Sequence, residues 1–346
     1  MRILLLSDKT PNAINWLNAL NSQPGVFASI WSMRRAKLPV QFFFFVWAII
    51  QLRIVVKRLK PELIIGYRTT SYGFLAACAG TKPIILAAQG ESDVWPPGHW
   101  TNFFTSRMAR FAIQRASLIH AWAKHMAESL YHHGASPQKV LVLHRGILLE
   151  KFSFLLPFSH PSEIRFICTR SLYPEYHHDL ILKMLKSIEE IFSDIIFKMY
   201  IVGDGVMKDE LMKLSEDLQL RSSVIWTGSV SPDKVGQWLQ EADIYISLPD
   251  TEGISSSLLE AMACGCFPIV TDLPANREWI LNSQCGKLVQ LQIESIVAAC
   301  KDVILNRHRL LDGVLQNRKI VEERADAVKN NAIFLEHYRI ICQCAE

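Results

Sequence analysis

The chain has 346 residues, half of which are hydrophobic, and its formal net charge at neutral pH is +4. That length is enough for two domains of ordinary size, and the apolar content predicts a substantial buried core. The eight cysteines lack the spacing of a disulfide framework or a metal site, which argues against both classes and indicates reduced thiols in a cytosolic protein. The first eight residues are too short for a secretory signal peptide and instead predict a first strand.

The charge is distributed unevenly along the chain. Residues 1–150 contain 17 Lys and Arg against 6 Asp and Glu, a balance of +11, whereas the remainder contains 20 against 27, a balance of −7. This asymmetry predicts that the first half faces an anionic partner. An anionic membrane surface or a lipid-diphosphate acceptor fits that expectation better than nucleic acid, which we do not expect as a partner.

The first half alternates between strands and helices. Strands are predicted at Arg2–Ser7, Phe27–Ser32, Leu63–Tyr67, Pro83–Gln89, Leu118–Trp122 and Val140–Leu143. Helices are predicted at Asn12–Asn21, Val40–Leu59, Ser71–Ala79, Asn102–Gln114 and Ala123–His132. Alternation of this kind implies a parallel sheet that is covered by helices on both faces.

The second half repeats the pattern. Strands are predicted at Arg165–Thr169, Phe197–Val202, Val224–Trp226, Ile244–Leu248, Phe267–Val270 and Lys287–Val289. Helices are predicted at Asp179–Phe192, Val206–Leu218, Lys234–Gln240, Leu258–Cys264 and Ile293–Leu305. We therefore predict an α/β fold with two doubly wound, Rossmann-like domains at residues 1–152 and 163–330, joined by the Pro-containing linker Ser153–Ser162.

The helix predicted at Val40–Leu59 carries both aromatic and basic residues. It contains the run Phe42–Ile50, and residues 31–60 include seven basic and no acidic side chains. Its uncharged stretch, Leu38–Leu52, has 15 residues, whereas a bilayer span needs about 20. The helix can therefore lie in a membrane interface, or it can be a domain helix with one face packed on the sheet; the sequence leaves both readings open.

The segment from Pro249 to Asp272 predicts a loop, a helix and a strand. Ser255, Ser256 and Ser257 can cap the start of the helix, and a helix start beyond the carboxyl end of a strand suits a phosphate group. Glu252 and Glu260 lie on either side of that start. Because carboxylates accept hydrogen bonds from hydroxyl groups, this arrangement predicts a site for a sugar nucleotide.

This segment resembles the signature of glycosyltransferase family 4, the retaining glycosyltransferases with the two-domain GT-B architecture. Residues 252–270 are similar to the family signature Glu-Gly-Phe-Gly-x-x-Leu-Leu-Glu-Ala-Met-Ala-Cys-Gly-x-Pro-Val. This chain has one residue more than the signature, at Cys266–Phe267. The resemblance covers Arg145 to about Arg277 well and the first 140 residues only by pattern. It implies an acceptor-binding first domain, a nucleotide-sugar-binding second domain and a cleft between them. It also implies that residues 331–346 form a last helix that packs back on the first domain.

The resemblance assigns roles to several residues of the second domain. Arg170 is expected to neutralise the diphosphate, and Glu252 to hold the transferred sugar. Glu260 is expected to accept hydrogen bonds from the ribose. The amides of Ser256 and Ser257 are expected to meet the phosphate, with Ser255 close to the sugar. Gly203 and Gly205 are expected to let the backbone bend near the nucleotide.

Two positions depart from the family pattern. Tyr176 occupies the place of a lysine that contacts the diphosphate in the family, so a fixed charge is lost, although Tyr176 or the following His177 can donate a hydrogen bond. Gln89 occupies the place of a family histidine in the first domain. Asp93 or Glu91 then becomes the candidate base that removes a proton from the sugar-accepting substrate. Paired His177 and His178 have no third ligand at suitable spacing, so no metal site is expected.

The sequence therefore predicts a retaining, hexosyl-transferring enzyme that uses a nucleoside-diphosphate sugar, without a metal or other cofactor. The expected acceptor is a cell-surface polysaccharide or a lipid-linked glycan, and the expected location is cytoplasmic and peripheral at the inner face of the membrane. Two alternatives remain at this stage: a soluble transferase for a small metabolite, and a non-catalytic subunit that binds sugar nucleotides.

Overall fold

The structure, a computed structural model, describes residues 1–33, 40–80, 83–88, 102–220 and 222–344. It divides into two compact units: Met1–Arg145 together with Val328–Glu346, and Gly146–Ala327. The boundary differs from the one predicted near residue 152. Phe152 and Phe158, which flank or lie within the predicted linker, are buried in the cores of the second unit, and Leu155 donates a backbone hydrogen bond to Cys264.

The first unit contains a six-stranded sheet whose strands all pair in parallel. Its strands are β1 (Arg2–Leu6), β2 (Phe27–Trp31), β3 (Leu63–Tyr67), β4 (Ile84–Ala87), β5 (Leu118–Ala121) and β6 (Val140–Val142), in the order β2-β1-β3-β4-β5-β6. Its helices are α1 (Pro11–Asn21), α2 (Val40–Leu59), α3 (Gly73–Cys78), α4 (Asn102–Arg115) and α5 (Lys124–His132). The central strands β3, β4 and β5 are buried along their whole length, as expected for a parallel sheet with both faces covered.

A one-turn π-helix at Arg68–Tyr72 precedes α3 and was not predicted. It follows β3 directly, where the chain turns within a very small space. A Cβ at Gly66 would lie 2.6 Å from the Cα of Gly73, and a Cβ at Gly73 would lie 2.5 Å from the Arg68 carbonyl oxygen. Only glycine fits at these two crossings, because any larger residue would overlap the backbone opposite.

The second unit contains a second six-stranded parallel sheet. Its strands are β7 (Glu163–Cys168), β8 (Ile196–Val202), β9 (Val224–Gly228), β10 (Ile244–Ser247), β11 (Phe267–Thr271) and β12 (Lys287–Val289), in the order β12-β11-β10-β7-β8-β9. Its helices are α6 (His178–Ile191), α7 (Lys208–Asp217), α8 (Pro232–Gln240), α9 (Ser256–Cys264), α10 (Pro274–Arg277), α11 (Ile293–Asn306) and α12 (Leu311–Arg324). This strand order is that of the doubly wound dinucleotide-binding fold, in which the strand order across the sheet reverses between the first and fourth strands while all strands stay parallel. Here those strands are β7 and β10.

The last helix, α13 (Ala327–Gln343), begins four residues before the predicted range of residues 331–346. From Val328 onward its residues belong to the first unit. Phe334 stacks on His120 of β5 with ring centroids 4.5 Å apart, and Asn330 donates a hydrogen bond to the His144 carbonyl oxygen at 2.7 Å. In the described part of the chain, no helix combines the length and the apolar content that a membrane crossing requires.

Candidate functional site

The candidate site lies at the reversal point of the second sheet, beyond the carboxyl ends of two neighbouring strands. β7 pairs with β10 at Phe166 and Ile167. Arg170 follows β7, and Glu252 lies in the loop that joins β10 to α9. In open α/β sheets a crevice for ligands opens at this point. The topology therefore brings together the two residues that the sequence identified as the cation and the sugar-side acid.

Arg170 and Glu252 form an ion pair. The Nη2 atom of Arg170 donates to the Oε2 atom of Glu252, and the two side chains are only 13% and 11% exposed. Burial alone disfavours the charged guanidinium, but the electrostatic influence of Tyr245 and Glu252 exceeds it and raises the pKa of Arg170 above its ordinary value. Arg170 is therefore a fixed positive charge at the sheet edge at any physiological pH.

Tyr176 lies beside this guanidinium. The Cζ atom of Arg170 is 5.4 Å from the centroid of the Tyr176 ring, a distance at which a cation and an aromatic face attract each other. The sequence placed Tyr176 near the diphosphate as a replacement for a family lysine, and the structure places it in contact with the cation of the site. Its neighbour His177 instead donates a hydrogen bond from Nε2 to the Asp250 carboxylate at 2.7 Å. His178 is buried, with its Nε2 atom 3.6 Å from the Cys168 sulfur.

The start of α9 differs in detail from the prediction. The helix begins at Ser256 rather than Leu258, Ser255 is its N-cap residue, and none of the serine side chains caps the helix. The Ser256 amide donates to the Ile254 carbonyl oxygen at 3.0 Å, so it is already used. Within the described residues, the amides of Ser257 and Leu258 have no protein acceptor. An anion at the helix start can therefore accept hydrogen bonds from these two N–H groups. The helix ends, as predicted, at Gly265, whose φ is 97°.

Glu260 lies one turn into α9 and is half-buried. Burial raises its pKa to about 7, although the nearby Arg170 lowers it. No residue of the described chain donates a hydrogen bond to the Glu260 carboxylate. An acceptor in this state, close to the cation and without a protein donor, suits a neutral hydroxyl-bearing group such as a ribose.

We expect Glu260 to make the stability of the protein pH-dependent. Its pKa rises from an ordinary 4.5 to about 7 on folding, so between these values the folded protein holds a proton that the unfolded chain releases. Its contribution is therefore neutral below pH 4.5 and becomes fully unfavourable above pH 7, by at most about 3 kcal/mol. Chemical denaturation from pH 5 to 8 measures the free energy of unfolding, which should fall with rising pH in the wild type but not, through this group, in Glu260→Gln. Parallel pH dependence of the variant and the wild type would show that Glu260 keeps an ordinary pKa.

The two glycines of the loop after β8 shape the loop that carries Arg170. A Cβ at Gly203 would lie 2.3 Å from the Arg170 carbonyl oxygen, and one at Gly205 would lie 2.4 Å from the Leu172 carbonyl oxygen. The Leu172 amide also donates to the Asp204 carbonyl oxygen at 3.0 Å. The glycines thus permit close packing of two loops at neighbouring strand ends, which fixes the backbone of Arg170.

Two residues of the site were missed by the sequence analysis. Ser247, the last residue of β10, accepts a hydrogen bond from the Nε atom of Arg170 at 3.0 Å. Tyr245 is fully buried, and its hydroxyl donates to the Oγ atom of Ser257 at 3.0 Å. The available signal was their spacing, because residues two apart on a strand point to the same face of the sheet.

The remaining predictions concern other parts of the chain. Asp93, Glu91 and Gln89, the candidates for contact with the acceptor, lie outside the described residues. Among the residues that are described, there is no group of three or more His, Cys, Asp or Glu side chains that could hold a metal ion.

Known proteins resemble this chain in both sequence and fold. It is 26% identical over 235 residues to N-acetylgalactosamine-N,N'-diacetylbacillosaminyl-diphospho-undecaprenol 4-alpha-N-acetylgalactosaminyltransferase from Campylobacter jejuni, covering 66% of this chain and 62% of that protein. It is 23% identical over 164 residues to alpha-monoglucosyldiacylglycerol synthase from Streptococcus pneumoniae, covering 43% of this chain and 37% of that protein. The chain thus spans less than two thirds of the length of these curated relatives.

The fold matches that of HepE from Anabaena, whose crystal structure contains UDP. The two chains superpose with a TM-score of 0.77 at 14% identity, over 97% of this chain and 99% of the other. At that identity the likeness concerns the fold, which is a GT-B fold with two six-stranded parallel sheets.

The family profile described as glycosyl transferases group 1 matches residues 158–330. This match spans half of the 346-residue chain and contains Arg170, the glycine loop, Glu252 and the whole of α9. The protein therefore belongs to the glycosyl transferases group 1 family.

Proposed function

We propose that the protein is a retaining glycosyltransferase of the family 4 type, which moves a sugar from a nucleoside-diphosphate sugar to a cell-surface polysaccharide or a lipid-linked glycan. The observation that carries this proposal is the arrangement at the end of β7 and β10. There a permanent cation, an acid paired with it and two unused helix amides meet at one sheet edge.

This arrangement suits the charge changes of glycosyl transfer. Breaking the anomeric C–O bond leaves negative charge on the departing diphosphate and positive charge on the sugar ring. We propose that Arg170 and the amides of Ser257 and Leu258 bind the diphosphate and stabilise its growing charge without a metal ion. Cleavage then yields the free nucleoside diphosphate, and the acceptor oxygen forms the new bond to the anomeric carbon on the face that the diphosphate has left.

The two acids have different proposed tasks. Glu252, which pairs with Arg170, is proposed to accept hydrogen bonds from the sugar hydroxyls and to stabilise positive charge on the ring. Glu260 accepts hydrogen bonds from the ribose. The carboxylate that receives the acceptor's proton is proposed to be Asp93, as expected from the sequence.

The names of the relatives and the charge of the first unit support a lipid-linked or membrane-bound acceptor. One relative is named for transfer to a diphospho-undecaprenol-linked sugar and another for a diacylglycerol glycolipid. The first 150 residues of this chain carry a charge balance of +11, which favours an anionic surface. All eight cysteines are free thiols in the structure, in keeping with the reducing cytoplasm.

The face of α2 supports association with a membrane surface. Ala48, Leu52 and Val56 turn inward and are buried. On the opposite side, exposed apolar side chains form a stripe that we call the α2 apolar stripe, with exposures from 49% to 62%: Val46, Trp47, Ile50 and Ile54. At 100° per residue Arg53 and Arg58 flank this stripe and Lys57 lies on it. An apolar stripe among cations is the pattern of a helix that lies in a membrane interface. We therefore propose a peripheral position at the inner face of the membrane.

Nucleotide binding and turnover test the proposed activity. Stabilisation of the protein against heat by UDP, GDP or ADP identifies the base, and release of that nucleotide from its sugar conjugate then measures turnover. We expect Glu252→Gln to bind the nucleotide but to lose most turnover, whereas Glu190→Gln, at an exposed pair on α6, behaves as the wild type. Binding without turnover in the wild type would instead establish a non-catalytic sugar-nucleotide subunit, the alternative that Tyr176 in place of a lysine favours.

A further inference from the structure

A short turn beside Arg170 ends in a residue with an uncommon backbone conformation. The chain forms a 3-10 turn at Pro174–Tyr176, and His177 then leads into α6 with φ 47° and ψ 46°. This left-handed conformation is strained for a residue with a Cβ and relaxed for glycine. The His177 side chain does not cap its own helix. Backbone strain of this kind persists where other contacts hold the residue in place, and it clusters at functional sites.

The side chain of His177 contacts the loop that carries Glu252. Its Nε2 atom donates to the Asp250 carboxylate at 2.7 Å, across 73 positions of sequence. The Asp250 amide donates to the Glu175 carbonyl oxygen at 3.0 Å, so two hydrogen bonds join the loop to the turn. Glu252 lies only two residues beyond Asp250. The position of its carboxylate therefore depends on this junction.

The loop has few other attachments. In the part of the chain that the structure describes, residues 249–253 form hydrogen bonds to other elements only through Asp250 and Glu252. The bond of Glu252 is its ion pair with Arg170, the cation that is proposed to bind the diphosphate. A phosphate bound to Arg170 shares the positive charge of the guanidinium, so the hold of Arg170 on Glu252 weakens when the donor binds. The junction at Asp250 then holds the loop in place.

We propose that His177 is a positioning residue of the transferase: by bonding Asp250 it holds Glu252 where the sugar of the bound donor meets its carboxylate. The inference rests on the proposed function, because Glu252 is assigned there to the transferred sugar. Tyr176, from the same turn, lies against the guanidinium of Arg170. The turn thus contacts both sides of the Arg170–Glu252 pair.

The bond between His177 and Asp250 matters for position more than for stability. The two side chains are 27% and 52% exposed, and a partly exposed pair contributes little to the free energy of unfolding. Loss of the bond should therefore leave the fold intact. Displacement of a group in the active site by about 1 Å, in contrast, can lower a catalytic rate by about a hundredfold.

Hydrogen exchange of the whole protein without nucleotide tests the junction itself. We expect His177→Gly to raise the exchange rate of peptides that contain residues 250–253 by at least about threefold, because the loop loses one of its two bonds to the turn. His177→Gln, whose side-chain N–H has a similar reach, should restore most of the protection. Gln219→Gly is the matched control, because Gln219 is exposed and also has a positive φ, of 62°. Equal exchange in His177→Gly and the wild type would overturn the inference.

Kinetics with the sugar conjugate of the nucleotide that binds test the consequence. His177→Gly should lower kcat by about tenfold, because the carboxylate of Glu252 is no longer held against the sugar. Its affinity for the free nucleoside diphosphate should stay as in the wild type, since that ligand lacks the sugar. Asp250→Ala should have the same two effects, and the double substitution should be no slower than either single one. His177→Gln should recover most of the rate, and Gln219→Gly should keep all of it.

The same measurements identify the results that contradict the inference. Unchanged kcat in folded His177→Gly would overturn it, as would a double substitution in which the two losses multiply. A loss of nucleoside-diphosphate affinity in His177→Gly as large as the loss of kcat would also overturn it, because His177 would then bind the diphosphate itself. Absence of turnover in the wild type would overturn the proposed function instead, and the exchange rates would still show whether His177 holds the loop.

Discussion

Replacement of Arg170 by alanine should lower the rate of nucleotide release from the sugar conjugate by at least about a hundredfold, the usual effect of removing one group that stabilises transition-state charge. Arg170 is shielded from solvent and has an elevated pKa, so its charge acts on the diphosphate through a medium of low polarity. Arg170→Lys should recover only part of the rate, since an ammonium cannot bond Glu252, Ser247 and a phosphate with the planar geometry of a guanidinium.

The Arg170→Ala variant also leaves Glu252 without its partner, and loss of one member of a shielded ion pair destabilises a protein. The rate must therefore be compared at temperatures where circular dichroism shows the variant to be folded. Arg170→Ala/Glu252→Ala removes both charges and should regain stability without regaining turnover. Lys186→Ala, which breaks an exposed pair on α6, serves as the control for loss of a positive charge. Turnover by folded Arg170→Ala within threefold of the wild type would mean that the diphosphate binds elsewhere.

Much of the fold follows from local sequence patterns. All twelve strands of the two sheets were predicted within one or two residues at each end, because buried parallel strands are short, continuous apolar runs between turn residues. The same alternation predicts that Arg170 and the loop before α9 lie at one edge of the sheet, because all parallel strands have their carboxyl ends at that edge. The exceptions are local: the π-turn after β3 depends on the close approach of Gly66 and Gly73, which only the folded backbone reveals.

The contacts within the site could not be predicted in the same way. The sequence indicated that Arg170 and Glu252 serve one ligand, but not that they bond each other. That pairing depends on the course of the loop before α9, which is held by the bond of Asp250 with His177 and by the Asp250 amide on the Glu175 carbonyl oxygen. These contacts join residues more than seventy positions apart. The unit boundary was misplaced for a similar reason, because the Pro-containing segment was treated as a linker although Phe158 fills the second core.

A double substitution on α2 should have the second large effect. Trp47→Asp/Ile54→Asp places two charges on the α2 apolar stripe and should lower the partition of the protein onto vesicles of phosphatidylglycerol and phosphatidylcholine by at least about tenfold. Both residues are more than half exposed, so the variant should unfold at the temperature of the wild type. Ile14→Asp on α1, also an exposed isoleucine, should bind vesicles normally.

Salt separates the two contributions to this binding. Lys57→Ala/Arg58→Ala should lose affinity at low salt, by about fivefold for each cation, and should converge with the wild type at high salt, where charges are screened. The aspartate variant should differ from the wild type at every salt concentration, because apolar burial does not depend on screening. Equal vesicle binding by all of these proteins would mean that the α2 apolar stripe contacts some other partner. If the wild type then sediments as a dimer and the aspartate variant as a monomer, that partner is a second copy of the chain.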